Sequence, residues 1–220
     1  MNIWVLLGLI LLSYLLGSIP WGYIVVKVTA GKDVRKIESG RTGGTNAMRA
    51  VNFSVGLLAS MLDILKSAVT VWLAKAIAPE QPWVHIIPPI FAILGHNYSI
   101  FLIEKDEQGK IRMFGGAGGA PAAGGAIGLW WPSVFILLPL GALIIFGIGY
   151  ASLATMSFPV IAILIFLYRA LRFGSPWEYF LFGFLAEILI LWALRPNIRR
   201  LRKGTERLVG WRANREEQGK

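Results

Sequence analysis

The sequence predicts an all-α integral membrane protein of about seven transmembrane helices, one of them a short glycine-rich segment that is either re-entrant or closely packed. Three observations carry that prediction. Of the 220 residues, 55% are hydrophobic and only 15% charged, at a mean hydropathy of +0.61. The apolar residues fall into runs long enough to cross a bilayer core about 30 Å thick. The net charge of +10 is concentrated between Lys27 and Arg49 and in the tail from Arg195 to Lys220, a distribution that suits a cytoplasmic, lipid-facing surface rather than a nucleic-acid interface. The chain reads as a single polytopic domain, 1–220, with a basic cytoplasmic tail at 195–220. It contains no cysteine and two histidines, His85 and His96, which excludes thiol nucleophiles, disulfides and a His/Cys metal cluster. No metal or cofactor is expected.

The first span runs from Ile3 to Val28, interrupted by Gly17-Ser18-Ile19-Pro20, a kink whose freed carbonyls neighbouring helices must satisfy. Its start lacks the basic region of a signal peptide, so it is expected to remain as a span. Basic residues follow it and none precede it, which places the N-terminus outside and the Lys27–Arg49 loop in the cytoplasm. The second span, Val55 to Ile77, carries Asp63 and Lys66 on one helical face, either as a self-neutralising pair or as functional groups. The third, Trp83 to Ile103, contains Pro88-Pro89 in its outer half and His96 at cytoplasmic depth. His85 reads as a satisfied interfacial residue, and His96 as the better candidate for a ligand contact. A charged exit loop, Glu104 to Arg112, follows.

Gly119 to Trp131 is the short segment. Val134–Tyr150, Leu153–Tyr168 and Trp177–Leu194 complete the set, the last bearing Glu187, which is protonated, paired with a cation such as Lys66, or part of a site. Seven crossings return the tail to the cytoplasm.

Three polar stretches remain. Glu38 to Arg49 holds three glycines, the hydroxyl and amide donors Ser39, Thr42, Thr45 and Asn46, and the cation Arg49. It is either an anion site or an ordinary loop. With Asn46 as the N-cap, Arg49 would lie in a first helical turn, where free N–H groups attract anions. Gly115 to Gly125 contains GxxxG spacings that permit close helix packing, or else forms a bare-backbone phosphate cradle. The tail places Asn197 and Glu206 among arginines. Neither the GxSxG elbow nor a His-x4-Asp pair is present, so a general base is not evident.

Taken together and in order, these stretches resemble the bacterial acyl-phosphate:glycerol-3-phosphate acyltransferases, the PlsY family. The likeness rests on Gly17-Ser18-Ile19-Pro20, Ser39-Gly40 through Thr45-Asn46 and Arg49, Asp63-Ile64-Leu65-Lys66, Gly95-His96-Asn97, the glycine-rich segment, and Asn197 through Glu206. It implies transfer of an acyl group from acyl phosphate to the 1-hydroxyl of glycerol 3-phosphate, giving lysophosphatidate and phosphate, as the first step of phospholipid synthesis in the bacterial inner membrane. It also implies Ser39, Arg49 and Asn197 as catalytic residues. Arg41, Thr45, Asn46, His96, Gly115, Gly116, Gly118 and Gly119 would bind substrate, with Asp63, Lys66 and Glu206 as structural support. The expected partners are acyl phosphate, glycerol 3-phosphate and anionic membrane lipid, with no nucleic acid, and a monomer or weak oligomer. The chain departs from the family pattern at Ala117, where a lysine is usual, at Leu194 in place of histidine, and at Arg41 in place of asparagine. Arg41, Lys110 or Arg112 are candidates to replace the missing lysine charge. The alternatives are a homologue that binds a phosphorylated lipid precursor without turnover, or a small anion transporter using Asp63, Lys66 and Glu187.

Overall fold

The computed structural model describes residues 2–105, 109–210 and 212–213; Asp106 and the tail residues 214–220 lie outside the described residues. The first span is two helices, α1 (Ile3–Ser18) and α2 (Trp21–Ala30). Pro20 has no N–H to continue the ladder, and the carbonyls freed at the break find side-chain donors. Ser99 Oγ donates to Ser18 O at 2.5 Å and Lys66 Nζ to Ile19 O at 2.9 Å. Asn2 caps α1 through its side chain, and Gly31, at φ 68°, ends α2.

The helix α3 (Gly44–Ala50) leads into α4 (Phe53–Ile77), which Asn52 caps by accepting from Val55 N at 3.0 Å. Next, α5 (Pro82–Asn97) keeps Pro88 and Pro89 inside one continuous helix. The charged exit loop is a departure from the all-α expectation. Its described residues pair as β1 (Ile103–Lys105) and β2 (Ile111–Met113), with Glu104 opposite Arg112. After it come α6 (Gly119–Leu129), α7 (Val134–Leu143, prolonged by a π turn to Ile148), α8 (Ala151–Phe173), α9 (Glu178–Ala193) and α10 (Arg195–Arg202).

Among the described residues, five segments are long and apolar enough to cross a membrane, and six with the α9–α10 pair, which bends by 70°. The seven expected differ by α6, which at 11 residues is roughly 16 Å long. Its packing explains the length. Gly124 lies against Ile64 of α4 and Gly128 against Val71, while Lys75, in the last turn of α4, donates to the Gly128 and Leu129 carbonyls at 3.0 and 2.7 Å. Thus α6 runs beside the second half of α4 and ends where α4 ends. The segment before it, Phe114–Gly118, starts beyond the end of α5, where Phe114 exchanges backbone hydrogen bonds with Ser99 and Leu102.

The glycine-rich stretch therefore divides: Gly115 to Gly118 is loop, and Gly124 and Gly128 are packing glycines. The core around α6 joins α4, α5, α8 and α9 through Val71, Ile93, Ala122, Phe166 and Phe182, all buried. A Cβ at Gly124 would overlap the Ile64 carbonyl, whereas one at Gly8 on α1 meets nothing within 4 Å. Gly124→Val is accordingly expected to cost about 1–3 kcal/mol through overpacking. Gly8→Val should stay within about 0.5 kcal/mol, and thermal unfolding in detergent compares the two.

Candidate functional site

The loop before α3 is folded onto its neighbours by missing side chains. A Cβ at Gly22 would strike the Thr42 carbonyl, and one at Gly56 would lie 2.7 Å from the Gly44 carbonyl. Asn46 does not cap α3; Gly43 occupies that position. Its buried amide instead donates to the carbonyls of Val34, Ile37 and Arg41 at 2.9, 3.0 and 2.9 Å. These bonds gather the loop around it, because a buried carbonyl without a donor costs free energy. Arg49 consequently stands in the last turn of α3, not the first, and donates to Leu208 O at 3.1 Å. Glu38 at φ 43° and Gly40 at φ 67° flank Ser39, whose hydroxyl accepts from Arg41 N at 3.4 Å. Arg35 fastens this loop to the hairpin by pairing with Asp33 at 2.7 Å and with Glu104. The guanidinium beside it holds the Asp33 carboxyl below its ordinary range.

Arg41 makes the longest reach. Its guanidinium donates to Gly116 O at 2.9 Å, to Ala193 O at 2.5 Å and to Asn197 Oδ1 at 3.5 Å. It therefore bridges the loop at Ala117 and the α9–α10 junction at Leu194. Those are the two positions where the resemblance implies a lysine and a histidine. Leu194 itself is 2% exposed and packs into the core. Burial lowers the pKa of both Arg41 and Arg49, and the charge of Arg200 adds to the effect at Arg41. Both remain cations at neutral pH. Among the described residues, neither has a carboxylate within ion-pair distance. Glu206 acts on both through space, and Glu38 on Arg49, without an ion-pair contact. The two other candidates for the missing charge lie elsewhere: Arg112 stacks on Phe114 from the exposed strand β2, and Lys110 belongs to the same hairpin.

The tail residues are organised by Glu206. It accepts from Asn197 Nδ2 at 2.7 Å, Arg200 Nε at 2.8 Å and Ser152 Oγ at 3.1 Å. Asn197 Oδ1 is thereby turned toward Arg41. On the opposite wall, Asp63 and Lys66 pair at 2.7 Å and His96 joins them, its Nδ1 lying 3.1 Å from Lys66 Nζ. Lys66 is thus not the partner of Glu187, whose Oε2 has no hydrogen bond among the described residues. His85 is satisfied by Tyr179 and the Ala78 carbonyl, each at 2.8 Å.

These elements enclose a cavity of about 390 Å³. Ser39, Arg41, Thr45, Asn46, Arg49, His96, Asn197, Gly118 and Gly119 all line it, as do Asp63 and Glu206. Gly115, Gly116 and Lys66 are not among its lining residues. Gly115 O accepts from Thr42 N at 3.1 Å and Gly116 N donates to His96 O at 2.8 Å, so those two glycines clamp the loop. Gly119 and Ala120, in the first turn of α6, also line this space, where the first N–H groups of a helix have no intrahelical acceptor.

Sequence reasoning missed the other half of the cavity. Phe53, Leu57 and Met61 of α4, Leu138 of α7, Phe146 and Phe158 form an apolar flank. One by one they look like lipid-facing residues, and only their convergence marks them. Ser152 and Thr155 on α8 add polar groups to the same cavity. The arrangement can hold an anion against two guanidiniums and a helix N-terminus while an apolar chain lies alongside.

Comparison with known proteins shows the family. The family model described as glycerol-3-phosphate acyltransferase matches residues 7–204. A glycerol-3-phosphate acyltransferase of Thermus thermophilus is 36% identical over 93% of this chain and 95% of its own length. A glycerol-3-phosphate acyltransferase 2 of Moorella thermoacetica is 35% identical over 93% and 97%. The crystal structure of PlsY (YgiH), an integral membrane glycerol 3-phosphate acyltransferase, is similar in its glycerol 3-phosphate form at a TM-score of 0.77. That likeness has 32% identity and covers 94% of this chain and 96% of that one. The lysophosphatidic acid form gives a TM-score of 0.76.

Proposed function

The chain belongs to the glycerol-3-phosphate acyltransferase family, and from that premise we propose that its cavity joins the acyl group of an acyl phosphate to the 1-hydroxyl of glycerol 3-phosphate. The observation that carries this reading is the pairing of two surfaces in one cavity: Arg41 and Arg49, without an ion-paired carboxylate among the described residues, at one wall, and the apolar flank of Phe53, Leu57 and Phe146 at the other. Those surfaces suit a phosphate and a fatty chain.

Acyl phosphate is a mixed anhydride with a good leaving group. The enzyme's task is to hold two anions close and oriented. Arg41, Arg49 and the α6 N-terminus offset the repulsion between them. The hydroxyl oxygen attacks the acyl carbon and forms the ester C–O bond. The acyl carbon–oxygen bond to phosphate breaks, and the hydroxyl proton passes to the departing phosphate. Ser39 and Asn197, at opposite sides of Arg41, position the phosphate oxygens. Glu206 holds Asn197 and Arg200 in place. Arg41 takes over the charge that Ala117 lacks.

The motif-bearing end is the cytoplasmic side of the bacterial inner membrane. Lys27 in the last turn of α2, Lys32 and Lys36 on the first loop, and Arg195, Arg199 and Arg202 on α10 support that orientation through the positive-inside rule. The N-terminus then lies outside. Anionic lipid neutralises the basic rim.

The test is release of phosphate and lysophosphatidate by the purified protein in lipid vesicles, given palmitoyl phosphate and glycerol 3-phosphate. Both products are expected in equal amounts. Counterflow of glycerol 3-phosphate in sealed vesicles with no ester formed would replace this reading with transport.

A further inference from the structure

The buried group formed by Asp63, Lys66 and His96 takes no part in the reaction as written above, although Asp63 and His96 line the cavity. Lys66 is 6% exposed, Asp63 1% and His96 4%. The ammonium of Lys66 has three neighbours. Asp63 Oδ1 lies at 2.7 Å as its counter-ion, Ile19 O accepts at 2.9 Å, and His96 Nδ1 lies at 3.1 Å. A paired ammonium carries three protons and no lone pair, so toward His96 it can only donate. Nδ1 is then the acceptor, and the single proton of the neutral ring sits on Nε2. The Asp63 carboxylate lies farther from Nδ1, at 3.4 Å, so the ammonium at 3.1 Å makes the closer contact.

The Nε2 end faces the glycine loop. A Cβ at Gly116 would overlap it, and among the described residues no acceptor is hydrogen-bonded to it. The clamp of Gly116 N on His96 O fixes this proximity. We propose that Lys66 locks His96 as a neutral, Nε2-protonated hydrogen-bond donor to a phosphoryl oxygen in the cavity, which rests on the phosphate-handling role inferred for that cavity. His96 is thereby a donor and not the base that takes the hydroxyl proton. Lys66 is a positioning residue that acts through the ring and simultaneously holds the α1–α2 break at Ile19. A neutral donor at this point adds attraction for an anion without another full charge to desolvate.

With only two histidines in the chain, histidine-selective nitrogen NMR of the protein in nanodiscs reads the tautomer directly, assigned against a His85→Phe variant. At neutral pH, the His96 signals should show a bare Nδ1 and a protonated Nε2. An imidazolium or an Nδ1-protonated ring would overturn the lock. In the charge-neutral Asp63→Asn/Lys66→Met variant the two tautomers should mix, and a retained single Nε2 form would remove Lys66 from the account.

Addition of glycerol 3-phosphate alone, or of a non-hydrolysable acyl phosphonate alone, distinguishes the two phosphoryl sources. A shift of the Nε2–H resonance with either supports the donor role and names its acceptor, and no shift with either overturns it. In turnover, His96→Ala should lower kcat about a hundredfold, whereas His96→Gln, whose amide nitrogen reaches the Nε2 position, should lose about tenfold. Equal losses would count against donation. The spectrum stands whether or not ester forms, so absent acyl transfer would count against the reaction and not against the tautomer.

Discussion

Arg41→Ala is expected to reduce kcat/KM for acyl transfer by about 10²–10³-fold, the scale associated with removing one preorganised donor at a charged transition state. The loss has two sources. The cavity gives up one of its two guanidiniums, and the carbonyls of Gly116 and Ala193 lose the donor that holds the glycine loop against the α9–α10 junction. Arg41→Lys should recover little. A lysine is a point charge and cannot place N–H groups on Gly116, Ala193 and Asn197 together. Ala117→Lys in the Arg41→Ala background provides the complementary measurement. The new ammonium would stand on the loop that Arg41 formerly reached, and partial recovery of phosphate release is expected. A double variant as inactive as Arg41→Ala would show that the bridge between loop and tail matters more than the charge.

Lys66→Met should lower stability by about 3–5 kcal/mol, because Asp63 is left as a buried carboxylate without its counter-ion. For a chain of this length the unfolding midpoint falls on the order of 10 °C. Asp63→Asn/Lys66→Met removes both charges and should recover much of that loss, since the cost belongs to the unpaired ion rather than to the absent pair. Thermal unfolding of the wild-type, single and double variants in the same detergent measures both. If the single and double variants melt together, the Ile19 carbonyl, deprived of its donor in both, is the larger contribution.

The membrane class was legible because apolar runs and clustered basic residues are local signals. So were the break at Pro20, the Asp63–Lys66 pair and the packing spacing of Gly124 and Gly128. The motifs resembling the family were legible as well, since they recur in order along almost the whole chain. Asn46 and Arg49 show where local reasoning failed. Asn46 has the chemistry of an N-cap, yet three carbonyls of its own loop compete for its amide and win. Gly43 begins the helix instead, and Arg49 moves to the far turn. Which carbonyls come within reach of its amide is set by the packing of the loop on α2 and α4, through the close approaches at Gly22 and Gly56.

By itself, the sequence determined the apolar lengths, the inventory of charged groups and the family to which the chain belongs. Tertiary structure decided what each charge faces. Ala117, Leu194 and Arg41 lie far apart along the chain, but folding brings them to one place, where the guanidinium of Arg41 spans the gap between the other two. Likewise, Lys66 is three residues from Asp63 in sequence, whereas its bonds to Ile19 and His96 require α1, α2 and α5 to meet α4. The physical reason is range. Hydropathy and helical spacing act within a turn or two, but hydrogen bonds in a dry interior are satisfied by whichever donor packing brings near, however distant in sequence.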